Sequence, residues 1–352
     1  MNRFEVDLAA ITHNVTVIRR LIGRRVRLFA ALKADAYGFG LVPVAEAAVA
    51  AGADSLAVGS VADGITLRRA GVTAPVLVYG GEPLTRSAVA EHEGAGLIAT
   101  VHDAASLKAC LRSAVRSLEV MVEVDVGLMR LGFEPDEAAG VVAKVRTAPA
   151  LKLHGMYTHM RVEARRDSRA LRAQFRSFER AMEAAGPLPI RMAASSRVLD
   201  RSSEMTLNAV DVGRAIYGLL PRSGGRLGPK LRPAFAAVRT QLTTVKTVAP
   251  GTRIGVISFG RSAGMADLST GAVLVRGRRA RVVGSPSLEH SRIDLSRHPD
   301  AVAGDEVVVV GRQGASAIRP EDVLRAHPET PDSALGLLVR PAVARDYLRR
   351  SR

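Results

Sequence analysis

VRLFAALKADAYGFG, residues 26–40, is a short apolar run that breaks at Lys33 into a turn containing tyrosine and glycine. The run is strand-length, and its unbroken apolar character suits a strand buried on both faces. VPVAEAAVAAG (42–52) follows with helical spacing and a glycine stop. The couplet then recurs. SLAVGS (55–60) precedes helical ADGITLRRAG, and APVLVYGG (74–81) is again strand-like. GLIATV (96–101) precedes a helix over about 103–114, and LEVMVEVDVG (118–127) precedes EPDEAAGVVAKVR (134–146). LKLHGMYTH (151–159) leads into a long helical segment over about 167–185, before strands at IRMAAS (190–195) and NAVDVGRAIYG (208–218). Strands alternating with helices indicate a parallel sheet, and about eight such units over roughly 200 residues predict a closed (β/α)8 barrel of the TIM type. A doubly wound open sheet is the alternative, but no GxGxxG follows the first strand.

The composition changes at PRSGGRLGPKLRP (221–233), a Pro/Gly/Arg stretch that reads as a linker. Beyond it, AAVRTQLTTVKTV, GAVLVRGRRARVVG and AGDEVVVVG carry strand patterns with glycine turns. The expected organisation is an α/β barrel over 1–225 and a C-terminal mostly-β domain over 226–352.

Of 352 residues, 47% are hydrophobic and 24% charged, as in a globular protein with a large core. No apolar run reaches the roughly 18 to 20 residues of a membrane span. MNRFEVDLAA lacks a signal-peptide pattern, and a lone Cys110 excludes an internal disulfide framework. The expectation is a soluble cytoplasmic protein without a membrane partner. A net charge of +16 raises the question of nucleic acid, but the arginines are scattered in pairs such as Arg68-Arg69 and Arg278-Arg279. Aromatics are only 4%, with no Trp, so a base-stacking surface has little material. No nucleic-acid partner is expected, whereas anionic small molecules are easily attracted.

Lysine is rare here. It occurs at 33, 108, 144, 152, 230 and 246, which leaves 50 − 6 = 44 arginines. Lys33 closes a predicted strand, where barrel enzymes place their chemistry. An amine there is suited to condense with an aldehyde cofactor, although a solvated surface lysine would look the same. Arg130, His159, Ser195 and Gly213 stand at other predicted strand ends.

Taken in order, these segments resemble the alanine racemase family, fold-type III pyridoxal 5′-phosphate (PLP) enzymes, from about residue 4 to 347. VDLAAITHN is similar to that family's opening strand and helix, and ALKADAYGFG to its cofactor-lysine motif. VDVGLMRLGFEP resembles the segment carrying its arginine, GMYTHM its histidine segment, and VGRAIYGL its phosphate cup. The resemblance implies that Lys33 carries PLP, while Tyr37, Ser195 and the backbone at Gly213 and Arg214 cradle the phosphate. Arg130 would lie near the cofactor's phenolic oxygen and the substrate carboxylate, and His159 would stand between the ring and Asp211. It also implies a small amino-acid substrate and a homodimer whose site is completed by the partner's C-terminal domain.

Departures from the pattern are equally specific. The family's second catalytic group, a tyrosine from the partner subunit, matches Val256, or Phe259 under a shifted alignment, and neither can carry a proton. Asp211 replaces an arginine facing the pyridine nitrogen, and a carboxylate there favours a protonated ring. Glu123 replaces a carbamylated lysine, Ala194 a polar amide, Ser333 a phosphate-binding tyrosine and Leu288 a methionine. Arg214 adds charge beside the phosphate segment. The best single label is a PLP-dependent amino-acid racemase. The alternatives are a one-base decarboxylase, lyase or eliminating enzyme favoured by Asp211, or a non-catalytic PLP-binding homologue.

Overall fold

A computed structural model describes residues 2–162, 168–222 and 225–349, apart from the side chains of Ser168 and Asp332. The chain divides into two compact units. One holds the N-terminal residues through Ala10, Tyr37–Gly40 and the chain from Pro233 onward; the other holds Ile11–Ala36 and Leu41–Arg232.

β1 (Arg3–Asp7) belongs to the first unit, and the eight strands after it build the second. These are β2 (Arg27–Ala31), β3 (Ser55–Val58), β4 (Val76–Val78), β5 (Leu97–Val101), β6 (Leu118–Glu123), β7 (Leu151–Tyr157), β8 (Ile190–Ser195) and β9 (Ala209–Val212). They pair in sequence order and in parallel, and β9 returns to β2 to close the barrel predicted from the alternating pattern. The closing seam sets Phe29 against Asp211 and Ala30 against Val212. Phe29, Ala57, Leu77, Ile98, Met121, Ile190 and Met192 form one buried cluster in this unit, with Tyr79 packed against it. Full burial of a side chain such as Phe29 contributes roughly 1.5–3 kcal/mol. Gly155 lets β7 approach β8, since a Cβ there would lie 2.3 Å from the Ile190 carbonyl oxygen.

The chain leaving β2 takes an unusual path. Ala34, Asp35, Ala36 and Tyr37 have φ of 54°, 52°, 53° and 59°, a turn of left-handed helix built without glycine. Each such residue costs roughly 1–2 kcal/mol through the clash of Cβ with the following carbonyl oxygen. Ala36 N–H donates to the Leu32 carbonyl at 2.8 Å, and the Asp35 carboxylate accepts from Leu41 N–H at 2.8 Å, which fastens the turn at both ends.

The other unit is a nine-stranded sheet. After β1 it comprises β10 (Phe235–Ala249), β11 (Thr252–Ile257), β12 (Ala272–Val275), β13 (Arg278–Val283), β14 (Ser291–Asp294), β15 (Glu306–Gln313), β16 (Ser316–Ile318) and β17 (Ala344–Leu348). The order is β16-β15-β12-β13-β14-β11-β10-β1-β17, with β15 also pairing β10. This is the mostly-β C-terminal architecture expected from the sequence, interrupted by the short helix Pro320–Ala326. Arg239 on β10 is largely buried and bonds Glu5 at 2.9 Å and Glu306 at 2.8 Å, tying β1 and β15 to it. Among the described residues, no helix is long and apolar enough to cross a membrane.

Candidate active site

The C-terminal ends of the barrel strands converge on a cavity of about 250 Å³. Its lining comprises Lys33 after β2, Gly59 after β3, Tyr79 and Gly80 after β4, Glu123 closing β6, Arg130 and Leu131, Tyr157 closing β7, His159, and Asp211 in β9. Four residues singled out in the sequence, Lys33, Arg130, His159 and Asp211, therefore meet at one place.

Local structure explains their positions. The left-handed turn begins immediately after Lys33, whose side chain passes the bare Cα of Gly59. Arg130 sits in the loop between β6 and the helix Ala138–Thr147. Asp125 organises that loop by accepting from Gly127 N–H (2.9 Å), Leu128 N–H (2.8 Å) and Arg130 N–H (3.2 Å). At Gly132, φ is 122° and a Cβ would lie 2.5 Å from the Asp125 nitrogen, so the loop needs glycine.

The cavity is dense in titratable groups. Tyr79 Oη donates to Asp211 Oδ1 at 2.7 Å, while the Lys33 amine lies over the Tyr79 ring, 5.4 Å from its centroid. Tyr157 Oη donates to Glu123 Oε2 at 2.9 Å, and the two tyrosine rings meet edge-on at 6.5 Å. Burial pushes the Glu123 carboxyl up from its ordinary 4.5 to about 7, against the opposing pull of Tyr157 and Arg130. Burial also holds the Tyr157 hydroxyl well above its ordinary range, and the neighbouring Glu123 charge adds to this. His159 is lowered by burial first, then by Arg130, Lys33 and Arg214, with Asp211 opposing. Burial thus favours the neutral imidazole.

The remaining expected residues lie elsewhere. Ser195 ends β8 and precedes the helix Ser196–Arg201, making no side-chain cap bond to it. Its neighbour Ser196 is buried, and its Oγ accepts from Gly213 N–H (3.0 Å) and Ala215 N–H (3.2 Å). The Arg214 carbonyl accepts from Leu219 N–H at 2.9 Å. Tyr37 ends the left-handed turn and groups with the β-sheet unit. Ser333 lies in the 3-10 segment Asp332–Leu338, within the β-sheet unit. Val256 on β11 is in register with Thr244 and Arg292, and Phe259 is fully buried. Ala194 is buried, and Leu288 is exposed.

Tyr79, Tyr157 and Ser196 were not anticipated as site residues. Tyr79 and Tyr157 each sit at or just past a strand's C-terminal end, which is a positional signal available in the sequence. Ser196, just past the end of β8, carries the same signal but does not line the cavity.

The lining fits PLP at the amine and the ring. A lysine amine and a carboxylate share one small cavity, and Tyr79 meets the first with its ring and the second with its hydroxyl. The Gly213 and Ala215 amides are taken up by the Ser196 hydroxyl.

Comparison with known proteins agrees with this geometry. The model of the alanine racemase N-terminal domain matches residues 6–221, and that of the C-terminal domain matches residues 240–345. The alanine racemase of Desulfosudis oleivorans is 35% identical over 355 residues, covering 92% of this chain and 90% of that protein. That of Nostoc sp. is 32% identical, covering 90% and 88%. Among solved structures, the alanine racemase from Bacillus anthracis with bound L-Ala-P has a TM-score of 0.89 at 29% identity, covering 100% of this chain and 96% of that one. The alanine racemase from E. faecalis has a TM-score of 0.90 at 27% identity, covering 98% of each chain. These likenesses favour racemase-like chemistry with PLP over decarboxylation, elimination or a non-catalytic role.

Proposed function

From its membership of the alanine racemase family, to which this chain belongs, we propose that the protein racemises alanine or a closely similar small amino acid. The observation that carries the reading is the convergence of Lys33, Arg130, His159 and Asp211 on one cavity of the family's barrel. PLP, when bound, supplies the electron sink that makes the Cα proton acidic. Lys33 would hold it through Nζ and then move the proton at Cα. Arg130, fixed by Asp125, would receive the substrate carboxylate bidentately. Asp211 would accept from the ring N–H, with His159 beside it as a neutral partner. Ser195 and the backbone at Arg214, which follow β8 and β9 in the barrel unit, would face the phosphate.

Val256 and Phe259 cannot return a proton to the second face of Cα. We assign that delivery to water, so turnover is slow; losing a positioned acid–base group typically costs about 10²–10⁴-fold. The reading includes a homodimer, supported by family membership, and a reducing cytoplasm, supported by the lone buried Cys110.

The test is to incubate PLP-loaded protein with L-alanine in D₂O and follow chirality and Cα deuterium together. Slow racemisation with deuterium at Cα is expected. Deuterium exchange with fully retained L chirality would overturn the racemase assignment.

A further inference from the structure

Tyr79 touches both ends of the candidate site. Its ring lies beneath the Lys33 amine and its hydroxyl donates to Asp211 Oδ1 at 2.7 Å. Its backbone is pinned, because Tyr79 N–H donates to the Val58 carbonyl at 3.0 Å while the preceding Val78 carbonyl accepts from Thr100 Oγ1 at 2.7 Å. Packing against the barrel cluster fixes the ring as well. A carboxylate at a strand end can rotate about its last bond, so one fixed donor on one oxygen sets the direction of the other.

We propose that Tyr79 is a positioning residue: its hydroxyl clamps Asp211 Oδ1 and so directs Oδ2 at the ring nitrogen of the bound cofactor. The inference rests on the PLP reading above. It also makes Tyr79 and Asp211 a functional pair, in which the aspartate without the tyrosine would lack a defined orientation. The ring and the hydroxyl have separable tasks, since the ring faces the amine and only the hydroxyl reaches the carboxylate.

The experiment compares native protein, Tyr79→Phe, Asp211→Ala and the double variant. PLP dissociation constants are measured by titration, and the absorption spectrum of the lysine-bound cofactor is recorded for each. Tyr79→Phe keeps the ring and should weaken PLP binding roughly tenfold, as expected for loss of one hydrogen bond to a charged group, and shift the absorption band. In the Asp211→Ala background the same change should have little further effect on affinity or spectrum, because no carboxylate remains for the hydroxyl to act through. Tyr79→Leu serves as a second hydroxyl-free variant should the phenylalanine form fold poorly. An unchanged affinity and spectrum in Tyr79→Phe, or an equal loss with and without Asp211, overturns the clamp while leaving PLP binding intact. If the native protein takes up no PLP that borohydride can fix to Lys33, both the clamp and the PLP reading fall.

Discussion

Replacing Glu123 by glutamine tests the electrostatics of the barrel interior directly. Glu123 is 3% exposed and its carboxyl is raised from 4.5 to about 7, mainly by burial. The folded state therefore holds this proton more tightly than the unfolded chain does. Its stabilising effect is complete below about pH 4.5 and is lost as pH rises through about 7. At about 1.4 kcal/mol for each pH unit between those values, the wild-type protein loses roughly 3 kcal/mol across that window from this group alone. Glutamine stays neutral and still offers an oxygen to the Tyr157 hydroxyl, which donates to Glu123 at 2.9 Å. Glu123→Gln should thus match wild type near pH 5 and exceed it at pH 8, with Tm higher by roughly 4 °C for a chain of this size. Thermal unfolding of both proteins at the two pH values, equally loaded with PLP, measures the difference of differences. Equal pH dependence in the two proteins would refute the claim that burial keeps Glu123 protonated.

Three further outcomes follow from the structure. Lys33→Ala should abolish the borohydride-fixable cofactor absorption while leaving the circular dichroism spectrum unchanged; a retained band would place the attachment elsewhere. Arg239→Met strands the buried Glu5 carboxylate, which Arg239 bonds at 2.9 Å, and should cost about 3–5 kcal/mol in urea unfolding. Ala34→Gly relaxes a residue held at φ 54° and should stabilise the protein by about 0.5–1 kcal/mol, net of the added freedom of the unfolded chain; destabilisation in the same assay would contradict the strain.

The barrel was legible because its strands are buried on both faces and carry continuous apolar runs, separated by helical stretches of the right length. Lys33 was legible because a rare amine ends such a run. The place of β1 in the other sheet was not, because its partners β10 and β17 lie far downstream and a five-residue strand carries no record of its neighbours. Tyr79 looked like one more aromatic before a glycine pair; its function depends on Asp211, 132 positions away. Ser196 shows the same limit at closer range. From the sequence, Ser195 and Ser196 are adjacent hydroxyls, and only the direction of the backbone leaving β8 decides which of them meets the Gly213 amide.

The seam between β9 and β2 also sets an order of events during synthesis. The lysine strand emerges early and the aspartate strand late, and Tyr217 must reach back 186 positions to the Ala31 carbonyl before that seam is locked. A ribosome-bound chain truncated before β9 would carry Lys33 without Asp211, which lines the same cavity. Cofactor capture by nascent chains of increasing length should therefore switch on abruptly once the last barrel strand clears the exit tunnel, which makes PLP itself a reporter of ring closure.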